Sequence, residues 1–340
     1  MEQKQNIKFS IVIPLYNKEK EIKRAIDSVL NQTLQEFELI IVDDGSIDKS
    51  ASIVRQYNDG RIKFIQQKNA GVSAARNTGI ANCRNDYIAF LDADDEWKNN
   101  HLAIINNLIH HYPDAGVYAT LYQVLNSKGR KSIPKFSSIP PFPWEGILLP
   151  SYFSAALEGE PVCSSTAVIP KSVLLIVGNF ATTTSMGEDK DLWERIAIKY
   201  PIAFSNQIGA TYFLNSNNRI SKIFFNIISK CPNNLCSLVE ERSPRFYRTA
   251  QEAILRDEVS RDVLPDLIEY LKKYALISAE FYIKFAGKPQ IARKILKTTY
   301  PKSKTLLKKK FMLYTLSFLP LSILKLAMAI NTKLNNKKHA

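Results

Sequence analysis

Phe90-Leu91-Asp92-Ala93-Asp94-Asp95 closes an apolar run that begins at Tyr87, and it does so with three carboxylates in four positions. Carboxylates crowded at the end of a buried strand repel one another and resist desolvation. A divalent cation removes that conflict. Oxygen-only ligands suit Mg2+ or Mn2+, whose remaining positions are commonly filled by a substrate's phosphates. A polar turn that ends the strand and caps the next helix accounts for the same residues, because Asp is favoured in both places. The neighbouring segments decide between the two readings.

Upstream, Ile7–Pro14 and Glu38–Val42 read as buried strands, and Ile62–Gln66 as a third. Between them, Glu19–Leu30 places Ile22, Ile26, Val29 and Leu30 on one helical face, and Asp48–Tyr57 reads as a short helix with Asp48 as its cap. Ser73–Asn82 is a helix, Tyr87–Leu91 the fourth strand, His101–His111 a helix and Val117–Val124 a strand. Strand and helix alternate through the first 125 residues, which predicts an α/β fold: a mostly parallel sheet flanked by helices. Ligands of such sheets bind beyond the carboxyl ends of the strands, where the polar clusters of this chain fall. Residues 126–150 form a long Pro-rich connection containing Trp144, of the kind often used as a lid or binding loop. A helical pattern resumes near Gly187–Tyr200, and after about residue 220 the chain reads as helices.

Three more segments carry chemistry. In Ile11-Val12-Ile13-Pro14-Leu15-Tyr16-Asn17 a strand ends at Pro14, and Tyr16 on the exit loop offers a ring to a nucleobase or is a plain surface tyrosine. In Val42-Asp43-Asp44-Gly45-Ser46-Ile47-Asp48 a turn and a cap explain Asp44, Gly45 and Asp48 but not Asp43, whose carboxylate suits the N–H of a uracil or a ribose hydroxyl. In Lys68–Asn77, Gly71 permits close backbone approach, Ser73 is placed to cap a helix, and Arg76 reaches a diphosphate or pairs with an acid near a metal. Far downstream, Ser185-Met186-Gly187-Glu188-Asp189 has capping-box spacing between Ser185 and Glu188; Asp189 fits a first helical turn or a general base facing a metal.

Taken in order, SIVIPLYN (10–17), DDGSID (43–48), KNAGVSAARN (68–77), FLDADD (90–95) and GEDKDLW (187–193) resemble the family 2 glycosyltransferases of the GT-A fold, of the non-processive, bacterial cell-surface polysaccharide type. The motifs are weak singly and specific as an ordered set. The resemblance implies a GT-A domain over residues 1–220 and a helical C-terminal extension over 221–340. It implies an inverting transfer of sugar from a nucleotide-diphosphate donor, a UDP-sugar by preference, to a hydroxyl of a glycan or lipid-linked acceptor. Asp43 then binds the base; Pro14, Tyr16, Asn17, Gly71, Arg76 and Asp92 belong to the nucleotide-sugar pocket. Asp92 and Asp94 match the DxD element that holds Mg2+ or Mn2+, with Asp94 the direct ligand. Asp189 matches the catalytic base and Glu188 its acidic neighbour. Two elements depart from the pattern. Tyr212-Phe213-Leu214-Asn215 stands where the family often has a YRxH-like segment and contains no His, so a further metal or phosphate contact falls to Arg219; the QxxRW element of processive synthases is missing.

The 340-residue chain carries a formal charge of +14, and residues 301–340 supply nine lysines and no acid. Those lysines flank the apolar segment Phe311–Ile330, broken by Pro320 and Lys325, and no nucleic-acid-binding motif is present. An anionic membrane surface is the expected partner, with the tail (about 302–338) lying in the leaflet, a single span or a helix packed on the protein being the alternatives. Polar residues 1–8, the first apolar run broken by Pro14 and the absence of any CxxC pair among four cysteines predict a cytoplasmic protein on the inner face of the cell membrane. The rival from another class is a catalytically weak nucleotide-sugar-binding or membrane scaffold protein. A dinucleotide-binding oxidoreductase is excluded because the first glycine is Gly45, far beyond strand one.

Overall fold

The computed structural model describes residues 7–141, 145–183, 187–214, 244–284, 289–298 and 304–316. The chain divides into two compact units: residues 1–220 with 243–263, and residues 221–242 with 264–340.

The first unit begins with β1 (Phe9–Leu15), α1 (Ile22–Leu30), β2 (Phe37–Asp43), α2 (Ser50–Val54), β3 (Ile62–Gln66), α3 (Val72–Ala81) and β4 (Tyr87–Phe90). All seven residues of β1 and all seven of β2 are buried. Burial on both faces is what an unbroken β-branched run requires, and it defines the centre of a parallel sheet. Each of those Ile, Leu and Val side chains contributes roughly 1.5–3 kcal/mol of transfer free energy. The helices cover the faces: Ile22, Ala25, Ile26 and Val29 of α1 are buried. Against β1, α3 packs so tightly that a Cβ at Gly79 would lie 2.3 Å from Val12 Cγ1, which only glycine avoids.

Next come β5 (Glu96–Trp97), α4 (His101–His111), β6 (Val117–Leu125), β7 (Lys131–Ser132), β8 (Ile147–Leu148), α5 (Tyr152–Glu158), a 3-10 turn (Ser164–Thr166), β9 (Ala167–Pro170), α6 (Lys171–Val177), α7 (Glu188–Lys199), β10 (Ile202–Phe213) and α8 (Pro244–Leu255). The strands form one sheet in the order β3-β2-β1-β4-β9-β6-β10-β5. β3, β2, β1 and β4 run parallel, as do β6 and β10; β9 is antiparallel to both its neighbours and joins the two parallel sets. The expected mostly parallel sheet flanked by helices is therefore present. β9, β10 and the two-residue strands were not legible in the sequence, because short or irregular strands leave no periodic signature. β10 also bulges between Ser205 and Ala210.

The register sets up the site. Leu15 pairs with Asp43 and Val12 with Phe90, so β2 and β4 end on either side of β1 at one edge. Helix 48–57 is shorter than expected. Asp48 does not occupy its cap position; it accepts from the backbone N–H groups of Ser50 and Glu19 and so fixes the turn before it. Ser73 does not cap α3: it lies inside the helix, buried, and Gly71 takes the capping position.

The second unit contains α9 (Leu264–Lys284), α10 (Pro289–Thr298) and α11 (Lys304–Leu316), packed through Leu276, Ala279, Ala292, Leu296 and Leu313. Among the described residues no helix is long and apolar enough to cross a membrane. Residues 317–330 of the expected apolar tail, with Trp144, Ser185 and Arg219, lie outside the described residues.

His101 of α4 is fully buried, with its ring stacked on Trp97 at 4.4 Å between centroids. Burial pulls its pKa from 6.5 down to about 3. Between those values the unfolded chain binds a proton that the native state refuses, so stability present above pH 6.5 is lost progressively as pH falls through that window. One such proton contributes at most about 1.4 kcal/mol per pH unit. Denaturant unfolding at pH 7, 6 and 5 should show a loss of stability that is shallower in His101→Gln than in the wild type. Parallel slopes would contradict the assignment.

Candidate active site

The acidic turn follows directly from β4. Leu91 N–H still bonds to the Val12 carbonyl, and the chain then leaves the sheet, so Asp92 to Asp95 fall at the carboxyl edge beside β1. The carboxylates at and behind this edge have different partners.

Asp92 accepts from Arg76 Nη2 at 2.7 Å, and Asp94 from Lys18 Nζ at 2.9 Å. The Asp94 carbonyl accepts from Arg24, whose guanidinium lies 3.6 Å over the Phe213 ring. Asp95 points away from solvent. It accepts from Ser165 Oγ at 2.6 Å and from Phe213 N–H at 3.1 Å, which ties the turn to the 3-10 segment and to the end of β10. Burial, then the charges of Asp94 and Asp92, push its carboxyl well above the usual range. Asp95 thus anchors the turn, a role the sequence did not reveal because its partners lie 70 and 118 positions away.

Arg76 connects this turn to α7. Its side chain is 3 % exposed, and its second amino group donates to Glu188 Oε1 at 2.9 Å. Burial opposes the guanidinium's charge, yet Asp92, Glu188 and Asp189 together raise its pKa. Glu188 is also pushed up, by burial and then by Asp189, against the pull of Arg76. The two shifts agree physically, since one cation shared by three carboxylates cannot satisfy each of them. The carboxylate of Glu188 therefore serves Arg76, whereas the capping box with Ser185 involves a residue outside the described set.

Asp189 sits in the first turn of α7 and accepts from Ser164 Oγ at a long 3.5 Å. It directly follows Glu188, whose carboxylate bonds to the same Arg76 that holds Asp92. Behind it, Arg195 pairs with Asp191 at 2.9 Å, both fully or nearly fully buried, and donates to the carbonyls of Val177, Gly178 and Asn179. Asn77 exchanges two hydrogen bonds with the Phe180 backbone, and the Phe180 ring lies 5.1 Å from the Arg76 guanidinium. The loop after α6 is thereby clamped from both sides and forms part of the wall against Arg76.

The nucleotide-side candidates cluster at the ends of β1 and β2. Asp43 is 1 % exposed; its carboxylate accepts from Ser46 N–H at 3.0 Å and Gln66 Nε2 at 2.9 Å. Asp44 accepts from Gln67 and from the N–H groups of Ala70 and Gly71, so it holds the loop before α3 rather than merely turning the chain. Gly71 has φ +92, open to glycine at little cost. Asn17, at φ 51, accepts from Ile47 N–H and donates its own N–H to Ser46 Oγ, joining the first two loops. Pro14 pairs with Val42 inside the sheet, and Tyr16 is 43 % exposed beside it. Trp97 and Trp193 are buried core residues, which leaves neither ring for a sugar.

Asp92 and Asp94 offer hard oxygen atoms that suit Mg2+ or Mn2+. Lys18, Arg76 and Arg24 already bring positive charge to the acidic turn and to Glu188. Among the described residues no group of three acids, histidines or cysteines is arranged to hold a metal ion. A metal on Asp92 and Asp94 would therefore be completed by water or by oxygens of a bound substrate. A separate groove of about 720 Å³ runs along the exposed side of α1, lined by Lys20, Lys23, Arg24, Glu96 and Lys98 among others. None of Asp43, Asp92 or Asp189 lines it.

Residues 10–167 match the model of the family described as Glycosyl transferase family 2. Glycosyltransferase GlyA of Streptococcus pneumoniae is 35 % identical over 124 residues, 36 % of this chain and 18 % of that protein. An uncharacterized glycosyltransferase of Rickettsia felis is 36 % identical over 204 residues, 57 % of this chain and 31 % of that one. The minor teichoic acid biosynthesis protein GgaA of Bacillus subtilis is 43 % identical over 102 residues, 28 % and 23 % of the two chains. The chain thus matches less than a third of the length of each of these relatives. S. aureus TarS 1–349, solved in complex with UDP-GlcNAc, shares the fold at a TM-score of 0.56 and 17 % identity, over 92 % of this chain and 90 % of that one.

Proposed function

We propose that this chain, which carries a family 2 glycosyltransferase domain on a GT-A fold, moves a sugar from a UDP-sugar to a hydroxyl of a glycan or lipid-linked acceptor in cell-surface polysaccharide synthesis, with inversion. The observation that carries this reading is the Arg76 bridge from Asp92 to Glu188, which brings the acidic turn and the start of α7 into one cleft. A TarS fragment bound to UDP-GlcNAc supports the nucleotide, and the resemblance to GgaA supports a cell-wall polymer as the context.

In this reading Asp43 accepts the N–H of the uracil, with Tyr16 against the base and Pro14, Asn17 and Gly71 shaping the pocket. Asp92 and Asp94 hold Mg2+ or Mn2+, which when bound supplies positive charge against the leaving diphosphate. Lys18 and Arg76 add fixed cations at the same edge, pre-oriented by their carboxylate partners and so requiring little reorganisation. Asp189 takes the proton of the acceptor hydroxyl as the new C–O bond forms. Its carboxylate is a weak base at neutral pH, but an attacking alcohol grows more acidic along the reaction, so the transfer is matched late rather than early. Glu188 fixes Arg76 and the first turn of α7, and so sets where Asp189 points.

The helical extension and its lysines belong to the same reading. α11 buries Leu313 and exposes Leu307, Phe311 and Met312 next to Lys308, an apolar face beside positive charge. That combination suits the inner face of a membrane bearing anionic lipid, where a lipid-linked acceptor would also be found.

Asp189→Asn should fold, bind UDP with wild-type affinity by calorimetry, and lose transfer by about 10²–10⁴-fold. Turnover near that of the wild type would remove Asp189 from the mechanism. Vesicles containing phosphatidylglycerol should sediment the full chain at low salt and less of the variant Leu307→Ser with Phe311→Ser. Equal sedimentation of both proteins would contradict the membrane face.

A further inference from the structure

Next to Asp189 lies a group of residues that neither the metal site nor the nucleotide pocket uses. Tyr122 of β6 and Tyr212 of β10 stand on the same face of two paired strands, with ring centroids 6.2 Å apart and planes at 67°. Tyr122 is buried, and its hydroxyl donates to the Glu160 carbonyl at 3.0 Å, which fixes the segment leading to Ser164. The Glu160 carboxylate pairs with Lys190, the residue after Asp189, and both side chains are open to solvent at 50 % and 38 %. From the same segment, Ser164 reaches Asp189 itself. Tyr212 is half-buried, and the next residue, Phe213, is the one bonded to Asp95 of the acidic turn. Tyr212, partly buried against the core, is thus linked through Tyr122 to the Glu160 segment and through its neighbour Phe213 to the acidic turn.

We infer that Tyr212, Glu160 and Lys190 form the acceptor subsite, and that it takes a neutral hexopyranose. This rests on the proposed glycosyl transfer and deepens it by naming the acceptor's chemistry. A sugar ring has an apolar C–H face and a rim of hydroxyls. The first suits an aromatic side chain, and the second suits strong, oriented donors and acceptors. Tyr212 supplies the aromatic side chain. Lys190 donates and Glu160 accepts, so a hydroxyl pair bonded to them is held one residue from Asp189. The ion pair is also charge-balanced. An acceptor bearing phosphate or carboxylate would have to displace Glu160 from Lys190 and would then face Glu160 beside Asp189, which like-charge repulsion disfavours.

The test uses the full chain saturated with UDP and titrated by NMR with the methyl β-glycosides of glucose, galactose, mannose, N-acetylglucosamine and glucuronic acid. At least one neutral glycoside should bind. Tyr212→Ala should weaken it about tenfold, whereas Tyr212→Phe should keep it within about twofold. Glu160→Gln should weaken it as well, and UDP affinity should be unchanged in all three variants. The subsite is overturned if no neutral glycoside binds, if Tyr212→Ala binds like the wild type, or if the glucuronide binds best. Failure of UDP to bind the wild type would instead overturn the nucleotide-sugar reading, so the two failures are told apart by the first titration.

Discussion

A guanidinium with 3 % exposure, shared between Asp92 and Glu188, is the contact on which the site depends. It is the meeting point of three segments far apart in the chain: α3, the turn after β4 and the start of α7. A cation taken this deep is costly to desolvate, and only its carboxylate partners make it tolerable. Breaking such a pair by removing one partner typically costs about 3–5 kcal/mol, because the other charge is left buried and alone. The bridge is therefore conditional: Arg76 can lie there only while Asp92 and Glu188 are both in place, and each acid is positioned by it in turn. The Phe180 ring lies beside it on a loop held by Asn77 and Arg195, so the position of Arg76 is set by packing as well as by charge.

The same electrostatics shape the cleft's chemistry. Arg76, Lys18 and Arg24 meet the carboxylates of the acidic turn and the start of α7 at this edge. Asp95 escapes the crowd by pointing inward, where burial favours its neutral form. Glu188 responds by a raised pKa. In the proposed reaction Asp92 and Asp94 would hold the metal and Asp189 would serve as the base.

Much of this was legible in the residues, and the reasons are particular. Strands β1 and β2 announce themselves because both faces are buried, which forces mostly apolar runs, the buried Ser10 and Glu38 being paired with each other. FLDADD stands out because acids at a strand's end are costly. Arg76 read equally as a solvated side chain, a diphosphate contact or the partner of an acid; it is buried and bonds to Asp92 and Glu188. Other features had no sequence signal. Asp48 and Ser73 fit the cap pattern by composition, yet tertiary packing assigns the caps elsewhere. Ser164, Ser165 and Phe213 reach the site through a 3-10 turn and a bulged strand that no periodicity marks. Lys18 bonds to Asp94 across 76 positions, and nothing local to Lys18 points there.

The most direct measurement is a crystal structure of the full chain with UDP and Mn2+. The account predicts the uracil against Asp43, the diphosphate and metal at Asp92 and Asp94, and the Asp189 carboxylate facing the same space across Arg76. A nucleotide bound along the exposed side of α1, or anywhere out of reach of both Asp43 and the acidic turn, would contradict it.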